Sequence, residues 1–172
     1  MVFSSENILF VNVSTDLVNE YLKLVNDKEI QSLVSTKFKD ITLEDELKWI
    51  NYKLENKEYV YSMIEKDTNK FIGNVELMDY DGESAELGIS IVKDMQNKHY
   101  GTEAMKKVLK YAFEVLKLKY VNAVIFSNNT RSLWCAKKLG FYEYKIVPNV
   151  KVVDEVSVDD VYLKVDENSF KR

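Results

Sequence analysis

Hydrophobic and polar positions along the chain follow two periods, and the places where the period changes divide it into elements. Ile8-Leu9-Phe10-Val11-Asn12-Val13 reads as a first strand, and helical patterns follow over Thr15 to Val34. A further helix is predicted to start at Thr42. Thr42-Leu43-Glu44-Asp45 resembles a capping box, in which a hydroxyl and a carboxylate satisfy each other's backbone N–H. Leu43, Leu47, Ile50 and Leu54 then recur at helical spacing, the pattern of a core-facing stripe.

From Tyr59 the pattern changes. Tyr59 to Glu65 and Phe71 to Leu77 read as two strands, with Asp67-Thr68-Asn69-Lys70 as the hairpin turn between them. Asp79-Tyr80-Asp81-Gly82 makes another turn, and Ala85 to Val92 a third strand of the meander. Thr102 to Leu116 carries the strongest helical signal, with Ala104, Met105, Val108, Leu109, Ala112, Phe113 and Leu116 on its apolar side. Tyr120 to Phe126 is a strand, and Asn129 to Leu139 a short helix closed by Gly140. Tyr142 to Val147 and Val158 to Val165 end the series as an antiparallel pair. This order predicts a mixed α/β sheet of about seven strands, mostly antiparallel, with about four helices and one parallel crossover through the Thr102 helix. The five glycines fall at strand, turn, loop or cap positions and none inside a predicted helix.

Length and composition narrow the reading. With 172 residues the chain fits one domain, residues 1–172, and a chain of this size buries roughly 70% of its unfolded surface. No Pro/Gly linker, repeat or low-complexity tract divides it. The net charge of -4 is spread over interspersed signs, which excludes the basic stripe of a nucleic-acid binder. Mild acidity suits an amine-bearing acceptor, though weakly. A single cysteine, Cys135, and a single histidine, His99, leave no internal disulfide and no cluster of metal-ligand spacing. A hydrolase triad would have to use His99 as its base. The segment from Met1 to Glu6 has no basic region leading into an apolar run, and no stretch approaches the roughly 20 apolar residues of a membrane span. The expectation is a cytoplasmic protein.

Candidate chemistry concentrates in Gln96-Asn97-Lys98-His99-Tyr100-Gly101-Thr102, between a strand and the start of the strongest helix. Amides at such a junction are unsatisfied and the helix dipole favours an anion there, so a pyrophosphate is one natural occupant. An ordinary strand-to-helix loop that needs Gly101 only for its turn is the other reading. Neither a Walker loop nor a dinucleotide fingerprint is present.

The segment resembles motif A of the GNAT acetyltransferase superfamily, Gln/Arg-x-x-Gly-x-Gly/Ala. The run from Asn129 through Ser132 to Lys138-Leu139-Gly140-Phe141 resembles the following motif B, Asn-x-x-Ser ending in Lys-Leu-Gly-Phe. Ala85-Glu86-Leu87-Gly88-Ile89, Tyr100-Gly101-Thr102-Glu103-Ala104 and Tyr111-Ala112-Phe113 look like the branch that holds the ribosomal-protein N-terminal acetyltransferases. One departure stands out: His99 occupies the first motif-A glycine position. A side chain there either crowds the phosphates, imposes another backbone conformation or donates a hydrogen bond to a phosphate.

The resemblance implies a GNAT fold and an acetyl-CoA-dependent N-acetyltransferase acting on a primary amine by direct attack. The acceptor would be a protein N-terminus, a polyamine, an amino sugar or an amino acid. It also implies the site. The backbone of Ile89, Ser90, Ile91 and Val92 would pair with the pantetheine arm of coenzyme A. Amides from Asn97, Lys98, His99, Tyr100 and Gly101 to Thr102, with Gln96 before them, would hold the pyrophosphate. Asn129 would hydrogen-bond the cofactor arm or cap its helix, and the two roles are compatible. Glu86 is the candidate base, acting through a water, and otherwise a strand carboxylate in a salt bridge. A backbone N–H near Ile91 or Val92 would serve the thioester carbonyl. Many members place a tyrosine acid four residues after the motif-B serine; here Ala136 stands there. That leaves Ser132, Cys135 or water to protonate the thiolate, although Cys135 also reads as a small buried apolar residue. Trp49, Tyr52, Trp134 and Tyr142 are candidates for an acceptor pocket or for core. A homodimer is compatible with the branch. The rival reading is a catalytically silent acyl-CoA-binding module, suggested by His99 and Ala136.

Overall fold

A computed structural model describes residues 2–172. Its first two strands are β1 (Phe3–Ser4) and β2 (Ile8–Asn12). A 3-10 turn (Thr15–Leu17) leads into α1 (Val18–Val25), α2 (Lys28–Val34) and α3 (Leu43–Glu55). The meander is β3 (Tyr59–Glu65), β4 (Phe71–Met78) and β5 (Ser84–Ile91). A second 3-10 turn (Lys93–Met95) precedes α4 (Tyr100–Glu114), β6 (Tyr120–Phe126), α5 (Thr130–Lys138), β7 (Tyr142–Val153) and β8 (Val156–Asp166). All eight strands form one sheet in the order β1-β2-β3-β4-β5-β6-β8-β7. Only β5 and β6 run parallel, joined by the crossover through α4.

Several differences from the sequence pattern have local causes. The described sheet has eight strands where about seven are expected, because the two-residue β1 is too short to carry a period. Five α-helices replace about four: the Thr15–Val34 pattern breaks where Asp27 caps a new helix, its carboxylate accepting from the amides of Glu29 and Ile30. α4 starts two residues earlier than expected, so Gly101 lies inside a helix after all. β7 runs on to Val153, because a register shift between Val147 and Lys151 accommodates Pro148 on an edge strand. Asp154 and Glu155, both at positive φ (49° and 64°), then turn the hairpin.

The sheet is covered on both faces. Ala104, Met105, Val108, Leu109, Ala112 and Phe113 of α4 pack on Tyr61, Met63, Val75, Leu77, Ala85 and Leu87. On the other face Ile50 of α3 and Tyr21 and Leu24 of α1 close over Val60 and Phe71. The capping box of α3 is formed by Thr42 and Asp45. The Leu43 to Leu54 stripe is only half a core face: Ile50 is buried, whereas Leu43 and Leu54 are 51% and 44% exposed. The helix turns Glu46 inward in their place, and that carboxylate belongs to the cleft described next.

Candidate active site

Pairing between β5 and β6 is confined to Ser84, Ala85 and Glu86 against Tyr120, Val121 and Asn122. Past Glu86, β5 has a hydrogen-bonding edge without a strand partner. The amide of Val92 donates to the Ile72 carbonyl at 2.9 Å. Antiparallel ladders alternate, so the polar groups of Ser90 also face β4, while those of Ile89 and Ile91 face the gap toward β6. Gln96 Nε2 donates to the Ile91 carbonyl at 2.9 Å, leaving the Ile91 amide free on that edge. Of the two amides proposed for the thioester carbonyl, Val92 is engaged and Ile91 is available.

At the far end of this edge stands the N-terminus of α4. Its first backbone bond is Glu103 N–H to the His99 carbonyl at 3.1 Å, so the amides of Tyr100, Gly101 and Thr102 have no helical acceptor. His99 is the N-cap, in the left-handed region at φ 66°, and Asn97 shares that conformation at φ 60°. The histidine therefore takes the backbone geometry that a glycine would supply, at a cost of about 1–2 kcal/mol. Two ties hold the loop. Glu103 accepts from the backbone and side-chain amides of Asn7, at 2.7 and 2.9 Å, and the Tyr100 hydroxyl donates to Glu65. The Glu65 bond pushes the Tyr100 hydroxyl up to about 12.

A cavity of about 310 Å³ joins these parts. Ile89, Ser90, Ile91, Gln96, Asn97, His99, Tyr100, Gly101, Thr102, Asn129 and Ser132 all line it; Val92 and Lys98 do not, and Lys98 Nζ lies 3.7 Å from Met95 Sδ. Asn129 caps α5, its Oδ1 accepting from the Ser132 amide at 3.3 Å, which leaves its side-chain N–H groups for a ligand. Arg131 also lines the cavity, 3.4 Å from Asn97 Oδ1, and adds a cation beside the loop. Its position inside the motif-B run was a signal in the sequence. Ile30, Leu33 and Val34 of α2 supply an apolar wall that no local pattern marked. Cys135 is half-buried: it packs against the main core and also lines this cavity, meeting Thr102 Oγ1 at 3.4 Å. Ala136 is 0% exposed, so no side chain from that position reaches the site.

A second cleft, of about 1040 Å³, opens on the α1–α3 face of the sheet. It shares Leu33, Val34, Ile89, Ser90, Met105, Asn129 and Ser132 with the first, so the two meet between β5 and the start of α5. Glu86 lines it, half-buried, with Glu76 and Asn74 of β4 on the same sheet face. Burial first, then the charges of Asp79 and Glu76, raise the Glu86 carboxyl above its ordinary value. No salt bridge involves Glu86 among the described residues. Glu76 is held by Lys53 at 3.1 Å. Trp49 lines the large cleft and Trp134 the small cavity, while Tyr52 and Tyr142 are exposed and line neither.

The geometry is thus a narrow cavity with free amides at both ends, joined to a wide acidic cleft. The sequence matches the family model described as the acetyltransferase (GNAT) domain over residues 7–142. The chain belongs to the GNAT acetyltransferase family. It is 27% identical over 135 residues to an uncharacterised N-acetyltransferase, YoaA, of Bacillus subtilis, covering 77% of this chain and 71% of that one. A GNAT-family acetyltransferase of Bacillus anthracis superposes with a TM-score of 0.84 at 20% identity, covering 98% and 99% of the two chains. Spermidine N-acetyltransferase of Vibrio cholerae, in complex with CoA and spermine, does so with a TM-score of 0.82 at 17% identity, covering 95% and 97%. The chain is accordingly an acetyl-CoA-dependent N-acetyltransferase. The residues present fit that cofactor: free helix-terminal amides and Arg131 for phosphates, and the bare edge of β5 with Asn129 for an amide-bearing arm. Among the described residues no helix is long and apolar enough to cross a membrane.

Proposed function

We propose that this acetyltransferase acts on a primary amine that reaches the thioester from the large cleft, with Glu86 as general base. Acetyl-CoA supplies an activated acetyl group. The amides of Tyr100, Gly101 and Thr102 hold the diphosphate, with Arg131 beside them. Ile89 would bond the pantetheine arm, and Asn129 would donate to it. Glu86 takes a proton from the acceptor ammonium through a chain of waters, since strand geometry sets it roughly 13 Å along β5 from Ser90. The Ile91 N–H stabilises the charge that builds on the carbonyl oxygen. The Ser132 hydroxyl, at the junction of the two clefts, protonates the departing sulfur as the carbon–nitrogen bond replaces the carbon–sulfur bond.

The observation that carries this reading is a half-buried, unpaired Glu86 in a cleft continuous with the cofactor cavity. A strand carboxylate kept for stability alone would have a cationic partner, as Glu76 has Lys53. The raised carboxyl is closer to neutrality, where a base is most effective. The local sequences around Glu86 and Tyr100 favour the branch that holds the ribosomal-protein acetyltransferases, and a cytoplasmic location suits it. Release of free CoA thiol from acetyl-CoA, followed over a panel of primary amines, tests the reading. Glu86→Gln is expected to lower kcat by about 10²–10⁴-fold with CoA affinity retained. Tight CoA binding without turnover of any amine, in the wild type, would establish a silent binding module instead.

A further inference from the structure

We infer that the acceptor carries a second positive centre besides the reacting amine, and that Glu46 on α3 receives it. This rests on the transferase reading above and adds the substrate class: a small dication or polycation. The large cleft is lined by five carboxylates, Asp45, Glu46, Glu76, Glu86 and Asp160. Three of them have other engagements. Asp45 is spent in the capping box with Thr42, Glu76 is paired with Lys53, and Asp160 has the Lys151 charge beside it. Glu86 serves the reacting amine. Glu46 remains.

Glu46 is 5% exposed and has no hydrogen-bond or ion-pair partner among the described residues. Carboxylates at that depth are rare unless paired, and the Glu46 oxygens are not sealed from solvent, so a ligand in the cleft can reach them. The first turn of α3 favours a negative charge through its dipole but satisfies no lone pair. Its remaining surface opens into the cleft, which it lines together with Trp49, one helical turn on. The Trp49 ring already has Lys53 Nζ 5.9 Å from its centroid, so the second ammonium is read by the Glu46 carboxylate itself through charge-assisted hydrogen bonds. The cleft's own cations do not fill this place. Lys53 Nζ pairs with Glu76 and also lies over the Trp49 ring, and Lys37 and Lys39 sit on the exposed segment between α2 and α3; none of the three is paired with Glu46. Burial also raises the Glu46 carboxyl above its ordinary value, as expected for a group whose counter-ion arrives with the ligand.

Linear diamines and amino sugars with two ammonium groups share this chemistry, and the test separates them. Acetyl transfer is measured for α,ω-diaminoalkanes of increasing length, spermidine, a multi-amino sugar, and monoamines of matched size. The wild type is expected to favour one dication series over its matched monoamines by about tenfold or more in kcat/KM, the scale of one charged hydrogen bond. Glu46→Gln should bring that ratio close to one, with the change in KM and not in kcat, and Glu46→Asp should restore part of it. Equal use of monoamines and dications by the wild type would overturn the inference, as would an unchanged ratio in Glu46→Gln. If CoA binds but no amine turns over, calorimetry with spermidine on the CoA-loaded protein decides: binding that Glu46→Gln weakens supports the dication site, and absent binding overturns it. Failure to bind CoA would instead sink the transferase reading, so the two failures are distinguishable.

Discussion

Gly101 offers the cleanest separation of folding from cofactor binding. It is the second residue of α4 and lines the small cavity, and it does not have a positive φ. A Cβ built there meets a single atom within 4 Å, Ile91 Cδ1, at 3.4 Å. Glycine is therefore not required by the fold at this point. Replacing it with alanine gains up to about 1 kcal/mol of helix propensity, less near a helix end, which corresponds to a rise of roughly 2–4 °C in Tm at this chain length. The open space next to that Cβ is where the diphosphate would approach the amides. Valine adds two further carbons there and holds the phosphates away. Each hydrogen bond to a charged group is worth about 1.5–3 kcal/mol, so losing even one costs about tenfold in affinity or more. The expected outcome for Gly101→Val is a folded protein, melting near the wild type, with CoA affinity reduced at least about tenfold and often beyond detection. Calorimetric titration with CoA and a thermal melt on the same sample check both halves. A folded Gly101→Val protein that binds CoA as the wild type does would refute the placement of the diphosphate. One that fails to fold would refute the claim of open space.

Gly73 is the converse case: at φ 154° its added Cβ would lie 1.9 Å from the Ser90 carbonyl oxygen and 2.9 Å from Ile91 Cα, so β4 and β5 must part. Gly73→Ala should cost at least about 3 kcal/mol in denaturant unfolding and lower CoA affinity, because the edge of β5 moves. Thr42→Ala removes half of the capping box and should cost about 1 kcal/mol by chemical denaturation, with CoA binding unaltered. Glu46 gives a pH signature. Its folded carboxyl is raised by burial, so its contribution favours the fold below the unfolded carboxylate range and is lost as pH rises through the folded value. Glu46→Gln should thus melt above the wild type at about pH 8, with the gap closing toward about pH 4; a gap independent of pH would count against an unpaired buried carboxylate.

Much of this protein is local, and the local part was legible. Apolar runs mark β3, β4 and β6: β3 is buried without a break from Val60 to Met63 because helices cover both of its faces, whereas β4 and β6 alternate over part of their length. The Thr42 cap, the Gly140 turn at φ 98° and the amide-rich start of α4 follow from residue chemistry within a few positions. The motif-A and motif-B runs point to the cofactor for the same reason: its phosphates are read by backbone at one helix end. Tertiary structure alone decided the rest. Where β5 and β6 stop pairing fixes which amides are free, and so separates Ile91 from Val92, two neighbours that no sequence rule distinguishes. Helix phase and packing turned Glu46 inward and left Leu43 and Leu54 outside, against the apolar pattern of α3. Which carboxylates of the cleft keep a cation and which stand alone depends on side chains from α3, β4, β5 and β8 meeting across the sheet. Periodicity records what each segment buries; charge pairing between distant segments is set only when they are brought together.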